Sequence, residues 1–183
     1  MAISRLQRFV NWLRVARDDN RGVALTEFAI TAPVLILLYL GSYQLCSALT
    51  AQRKVTTTAR ALTDLATQYQ TVSDSDLASV LNASVQIMAP YDMSSGSAVI
   101  SQISIDSAGV ATVAWSRGLN TSARIVGSPV IVPASIAQAN TSLVLSEVRY
   151  QYDPQGTSII LGSLSLHDEV LMAPRTVRSI TKV

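Results

Sequence analysis

Apolar residues are distributed along this chain in three successive regimes: an unbroken run, a stretch with helical period, and a C-terminal portion with period two. Residues 28–52 carry no charge, and the centre of that run, Val34-Leu35-Ile36-Leu37-Leu38-Tyr39-Leu40, is almost purely aliphatic. As a helix it spans about 37 Å, enough to cross a hydrocarbon core of about 30 Å. The run predicts a transmembrane helix over residues 23–52. A cleaved secretory signal fits poorly, because Ser47-Ala48-Leu49-Thr50-Ala51 places a bulky Leu where a small residue is wanted.

Helical period continues past the run. Val55, Leu62, Ala66 and Tyr69 share a face while Arg60, Asp64 and Gln68 occupy others, which predicts one long helix to about Tyr69 with its outer half on a globular head. Ser73-Asp74-Ser75-Asp76 supplies helix-start chemistry, and Leu77, Val80, Leu81 and Met88 form a second stripe ended by Pro90. Thereafter the period is two. Residues 99–105 and 110–116, joined by Asp106-Ser107-Ala108-Gly109, read as a β-hairpin with Ile103, Ile105, Val113 and Trp115 on its inner face. A loop is expected over residues 117–141. Val144, Val148, Tyr150 and Tyr152 then alternate with Glu147, Arg149 and Gln151 in a half-buried strand closed by Asp153-Pro154. A last strand covers residues 164–172, with Leu166, Val170 and Met172 on one side.

The expected fold class is α+β: a long N-terminal transmembrane helix continuing into a small head with a short helix and an antiparallel sheet of about four strands. The expected domains are a basic leader at 1–22, a span at 23–52 and a head at 53–183, helical over 53–89 and β-rich over 97–175.

Charge adds orientation. Arg5, Arg8, Arg14, Arg17 and Arg21 face only Asp18 and Asp19 in the leader, whereas acids and bases balance after the span. The positive-inside rule places the N-terminus in the cytoplasm and the head outside. The basic pI therefore reflects topology, and the head has no footprint for nucleic acid. In the leader, Ile3, Leu6, Val10 and Leu13 share a face beside Trp12; an amphipathic helix on the inner leaflet and a disordered basic arm both fit. A single cysteine excludes an intrachain disulfide framework, and Cys46 reads as an unreactive buried thiol.

Catalytic chemistry is sparse. His167, Asp168 and Glu169 are consecutive, so in a strand only His167 and Glu169 share a face, too few for a metal site. One His removes the usual nucleophile–base pairing. No phosphate-cradling glycine loop occurs, and Asn82, Asn120 and Asn140 fit only the short N-x-[ST] pattern. The expectation is a protein that is not an enzyme, with no cofactor, no metal and no small-molecule substrate.

Glu27 stands apart. It is a carboxylate at the threshold of the apolar run, five places after Gly22. An acid held at mid-membrane costs roughly 2.5–3.5 kcal/mol, and a single-pass anchor has no structural need for one. Together, Arg21-Gly22, Ala24, Glu27-Phe28-Ala29, Pro33 and Gly41 resemble the N-terminal signature of the TadE/TadF-like pseudopilins of the bacterial tight-adherence (Flp-type) pilus machinery. The stretch 140–154, ending Tyr150-Gln151-Tyr152-Asp153-Pro154, is similar to that family's late strand, and Met172-Ala173-Pro174-Arg175 to its closing Pro-Arg.

The resemblance implies a minor pilin-like component in the bacterial inner membrane, its head periplasmic, at the base of a pilus or within it. Implied partners are other pilins and pseudopilins, a prepilin peptidase and inner-membrane platform proteins. The peptidase would cut after Gly22, leaving Val23 as the new N-terminus. Glu27 of one subunit could then pair with the free amine of a neighbour, offsetting the desolvation of both charges. Placement near the interface, favoured by the positive helix N-terminus, is the plainer account of Glu27. Phe28 and Pro33 would join the packing surface, and Gly41 with Ala48 makes a small-residue face. The competing function is a single-pass anchored binding or sensor module, which calls for a cytoplasmic effector domain that the leader is too short to supply. Related TadG-type proteins share a similar anchor and need not be processed.

Overall fold

The computed structural model describes residues 21–154 and 162–183. The leader helix expected around Ile3–Leu13 lies outside the described residues. The chain divides into two compact units, one ending at Gln44 and the other spanning Leu45–Val183.

Helix α1 runs Arg21–Thr67, with Pro33 inside it. It is long and apolar enough to cross a membrane. In the first unit Val23, Leu25, Phe28, Ile30, Leu37, Leu38 and Tyr39 are all exposed. From Ala48 onward one face is buried, through Ala51, Val55, Ala59, Leu62 and Ala66. Cys46 lies off that stripe and is not covered by the protein itself, since two residues before Ala48 is the opposite side of a helix.

The second unit is α+β, as expected. Helix α2 (Asp74–Met88) opens with a capping box in which the Ser73 side chain accepts from the Asp76 amide and the Asp76 side chain accepts from the Ser73 amide. It buries Leu77, Val80, Leu81, Ser84 and Met88, the predicted stripe with one serine added. A 3₁₀ turn at Met93–Ser95 leads into the sheet. The strands are β1 (Thr71–Val72), β2 (Gly96–Ile105), β3 (Ala111–Leu119), β4 (Thr141–Tyr152), β5 (Leu164–Met172) and β6 (Thr181–Lys182). The main sheet has the order β3-β2-β4-β5, with every neighbouring pair antiparallel. β1 and β6 form a separate parallel pair.

One sheet face packs Ala98, Ile100, Trp115, Val144, Val148, Tyr150 and Tyr152 against the α1 stripe and α2. Tyr91 stacks edge-on against Tyr150 and Tyr152, with centroids at 5.8 and 6.3 Å. On the opposite face Ile103, Ile105, Ala111, Val113, Leu143 and Leu145 form a second core, covered by Val130, Val132 and Ala137 of the loop that follows β3. The centre of β4 is thus buried on both faces, more than the half-buried strand expected.

The predicted inner face of the hairpin is also corrected. Gln102 pairs with Trp115 while the next residue, Ile103, pairs with Val113, so β3 carries one extra residue at Ala114. Such a bulge reverses the side-chain alternation. Val113 therefore joins Ile103 and Ile105 in the second core, and Trp115 turns to the helix-covered face. There its Nε1 donates to Gln102 Oε1 and to the Ile180 carbonyl, each at 3.1 Å.

Strand β3 extends through residues 117–119, which were expected to be loop. Gly118 makes that possible: a Cβ there would collide with the Thr121 carbonyl oxygen. Asn120 then turns the chain at φ 57°, its Nδ2 donating to the Met93 and Gly96 carbonyls.

Candidate functional site

The residues singled out by the sequence sit together at the start of α1. Gly22 has nothing within 4 Å of where a Cβ would lie. Val23 and Phe28 are 61% and 70% exposed, and Glu27 and Pro33 are exposed as well. Val23 and Glu27 are four apart and share one helix face. The Thr26 hydroxyl donates to the Val23 carbonyl at 2.8 Å, satisfying an acceptor inside the helix.

The exposure pattern is informative. A helix that lies on a core hides one stripe, whereas here apolar side chains are exposed on every side of the first unit's helix. Apolar surface of that extent needs an apolar surrounding, lipid or neighbouring helices. Glu27 is the acid set at its beginning. The arrangement can do two things chemically: anchor the chain in a bilayer and offer one carboxylate to a cation at the membrane edge.

Among the described residues the head's titratable side chains are dispersed. His167 and Glu169 share the outer face of β5, across from Arg149 and Glu147 of β4. Among the described residues no group of three or more His, Cys, Asp or Glu could hold a metal ion. A hollow of about 350 Å³, open to solvent, is lined by polar groups such as Ser97, Asn120, Arg149 and Gln151. None of its side chains forms a nucleophile–base pair.

Several of the head's charges hold its elements together. Arg124 grips Glu147 through two hydrogen bonds, Nε to Oε2 at 2.6 Å and Nη2 to Oε1 at 2.9 Å. The carboxylate of Glu147 holds the Arg124 pKa above its ordinary value. Asp74 binds Lys182 at 2.9 Å and Arg117 at 3.1 Å, and Asp64 pairs with Arg175. Arg124–Glu147 ties a loop to the sheet, Asp74–Arg117 ties α2 to β3, and the pairs of Lys182 and Arg175 tie the C-terminal segment to the helices. Their spacing along the chain gave no signal of them.

The comparisons bear on the same segment. The model of the TadE-like protein family matches residues 22–63, which takes in Gly22, Val23, Glu27, Phe28 and Pro33 and continues along α1 onto the head. This is the family that the N-terminal signature resembles. No curated protein and no solved structure matches the chain.

Proposed function

We propose that this chain is a membrane-anchored, minor pilin-like component of bacterial Tad/Flp pilus biogenesis, acting by helix packing and subunit contacts. The observation that supports it most is the apolar belt of α1 opening on Gly22, Val23 and Glu27, inside the segment that matches the TadE-like family. In this reading the belt spans the bacterial inner membrane with the N-terminus cytoplasmic and the head periplasmic. The leader ends at Gly22, and a prepilin peptidase cuts there, leaving the amine of Val23 at the membrane edge.

Glu27 then has a task that anchoring alone does not supply. A carboxylate and a free amine taken separately into a low-dielectric boundary each lose hydration; paired between neighbouring subunits, each offsets the cost of the other. The pairing also fixes how far one helix slides along the next. Phe28 and Pro33 are exposed on the same stretch and would pack between helices. Partners are other pilins and pseudopilins and the inner-membrane platform. The finer reading rests on those two charges meeting between subunits.

Two measurements test it. N-terminal sequencing of native material should begin at Val23, and Gly22→Leu should retain the leader. Glu27→Gln should leave the level of the protein in the membrane unchanged while piliation is lost. Normal piliation by Glu27→Gln, or native material that always starts at the first residues of the leader, would sink the reading. An anchored sensor module would show both of those results.

A further inference from the structure

The outer face of the main sheet changes character along β4. Leu143 and Leu145 lie in the second core, under the loop that follows β3. Beyond them come Glu147, Arg149 and Gln151, and at the end of the strand the sheet borders the hollow of about 350 Å³. Ser94, Ser97, Asn120, Gln151 and Ser165 supply it with hydroxyls and amides, and Arg149 is the one charged residue among those that line it. Arg117 and Arg124 each hold a carboxylate. Arg149 is exposed, and among the described residues no hydrogen bond or ion pair engages its guanidinium. Directly across from it stand Ser97 on β2 and His167 on β5, so no acid faces it in its own register.

The groups around that guanidinium are held in place by the fold. Asn120 Nδ2 donates to the Met93 and Gly96 carbonyls at 2.8 and 3.1 Å, which leaves its Oδ1 as an acceptor. Both carboxylate oxygens of Asp92 accept from Ser94, Oδ1 from its amide at 2.9 Å and Oδ2 from its hydroxyl at 2.7 Å. Glu147 and Glu169 oppose each other on the next outer-face pair, and neither lines the hollow. Arg124 binds the first and lies close enough to the second to feel its charge. An unpaired cation among polar groups already in position is preorganised for an anion, because little of the lining has to be ordered on binding.

We propose that this hollow binds a carboxylate-bearing saccharide, Arg149 taking the carboxylate and the surrounding hydroxyls and amides taking the ring hydroxyls. The ligand class follows from the lining. A guanidinium fork matches a planar carboxylate with two parallel hydrogen bonds, and one cation balances one negative charge. A phosphate group carries up to two charges and is met by clusters of arginines, which are absent from this lining. An apolar ligand would strip water from the serines, Asn120 and Gln151 without replacing its hydrogen bonds. A polyhydroxylated ring replaces them. The volume falls at the small end of ligand sites, and the opening to solvent admits a sugar within a longer chain.

The test titrates the full chain in detergent micelles with trigalacturonate and follows backbone amide resonances. Those of Ser97, Asn120 and Gln151 should move together along one binding curve. The neutral galactotriose and inorganic phosphate should each bind at least roughly tenfold more weakly, the weight of one charge-assisted hydrogen bond. Arg149→Gln should raise the Kd for trigalacturonate by a similar factor. Ser97→Asp, which sets a carboxylate directly across from Arg149, should abolish binding by supplying the anion from the chain itself. Circular dichroism of both variants should stay native, since Arg149 is exposed and Ser97 is not part of the core. Resonances that stay in place with trigalacturonate would overturn the proposal. Equal binding of galactotriose would remove the role of Arg149, and equal binding of phosphate would leave a plain anion site; either result overturns it, as does an unchanged Kd in Arg149→Gln.

Discussion

Asp74 carries two attachments at once, to Lys182 on β6 and to Arg117 on β3. Its pKa lies below the ordinary 3.8, first because Lys182 donates a hydrogen bond to it. A carboxylate held low in the folded state contributes stability above its unfolded value and loses it as pH falls through the folded one. The attachment of β6 should therefore weaken under acid. Amide exchange reports it directly, since Thr181 N donates to the Gln70 carbonyl and Val183 N to the Val72 carbonyl. Protection at both amides should fall below about pH 4 while β4 stays protected, and Asp74→Asn should erase the pH dependence. Unchanged protection at Thr181 down to pH 3 would remove the role given to Asp74. Ser146 makes a second case at this scale. Its buried hydroxyl donates to the Ala59 carbonyl at 2.6 Å and lies 2.5 Å from the Thr63 hydroxyl, fastening β4 to α1. Ser146→Ala should cost about 0.5–1.5 kcal/mol in denaturant unfolding, the net worth of the bond it removes, because the Thr63 hydroxyl still donates to the Ala59 carbonyl.

At the scale of elements, period and capping chemistry were readable because each depends on neighbours in sequence. The α2 stripe, the Ser73 cap and the bounds of β5 all follow from local spacing. The bulge at Ala114 does not, since an extra residue in β3 is defined only against its partner in β2. Ile103, Ile105, Val113 and Trp115 could be seen to be apolar in alternation, but not that the strand reverses face between Val113 and Trp115. The pairing of β1 with β6 was invisible for a related reason: strands of two residues have no period to read. Gly118 could be seen but not interpreted, because the Thr121 carbonyl that requires it is a tertiary neighbour. Two predictions belong here. Gly118→Ala should destabilise the head by about 1–3 kcal/mol, as an overpacking change does, with the loss seen in thermal unfolding. Deleting Ala114 should remove the bulge and leave Val113 and Trp115, now adjacent, on opposite faces in the same pairings with Ile103 and Gln102; tryptophan emission should then stay unshifted. A red-shifted spectrum in that deletion variant would show that Trp115 had left the helix-covered core and that the bulge is not at Ala114.

The whole molecule is governed by the double use of one helix. Up to Gln44 the helix belongs to one unit, and from Leu45 it is part of the other. Val55, Ala59 and Leu62 are fully buried in the same core as Leu77, Ile100, Val144 and Val148. The outer half of α1 is therefore a wall of the head, with Leu62 as deep as any strand residue. The sequence showed both halves, an uncharged run followed by a helical stripe, because burial by lipid and burial by a sheet leave different patterns. What it could not show was which sheet face the stripe meets, a matter of contacts between distant residues. A cut between the apolar run and the head must therefore respect the helix. A fragment beginning at Leu45 should unfold cooperatively on heating, whereas one beginning after Thr67 should not fold, having lost the residues that cover Val144 and Val148. Leu62→Ala in the longer fragment should cost about 2–5 kcal/mol, the usual loss for a core leucine. Cooperative unfolding of the shorter fragment would mean that α2 and the sheet suffice, and that α1 serves only as an anchor.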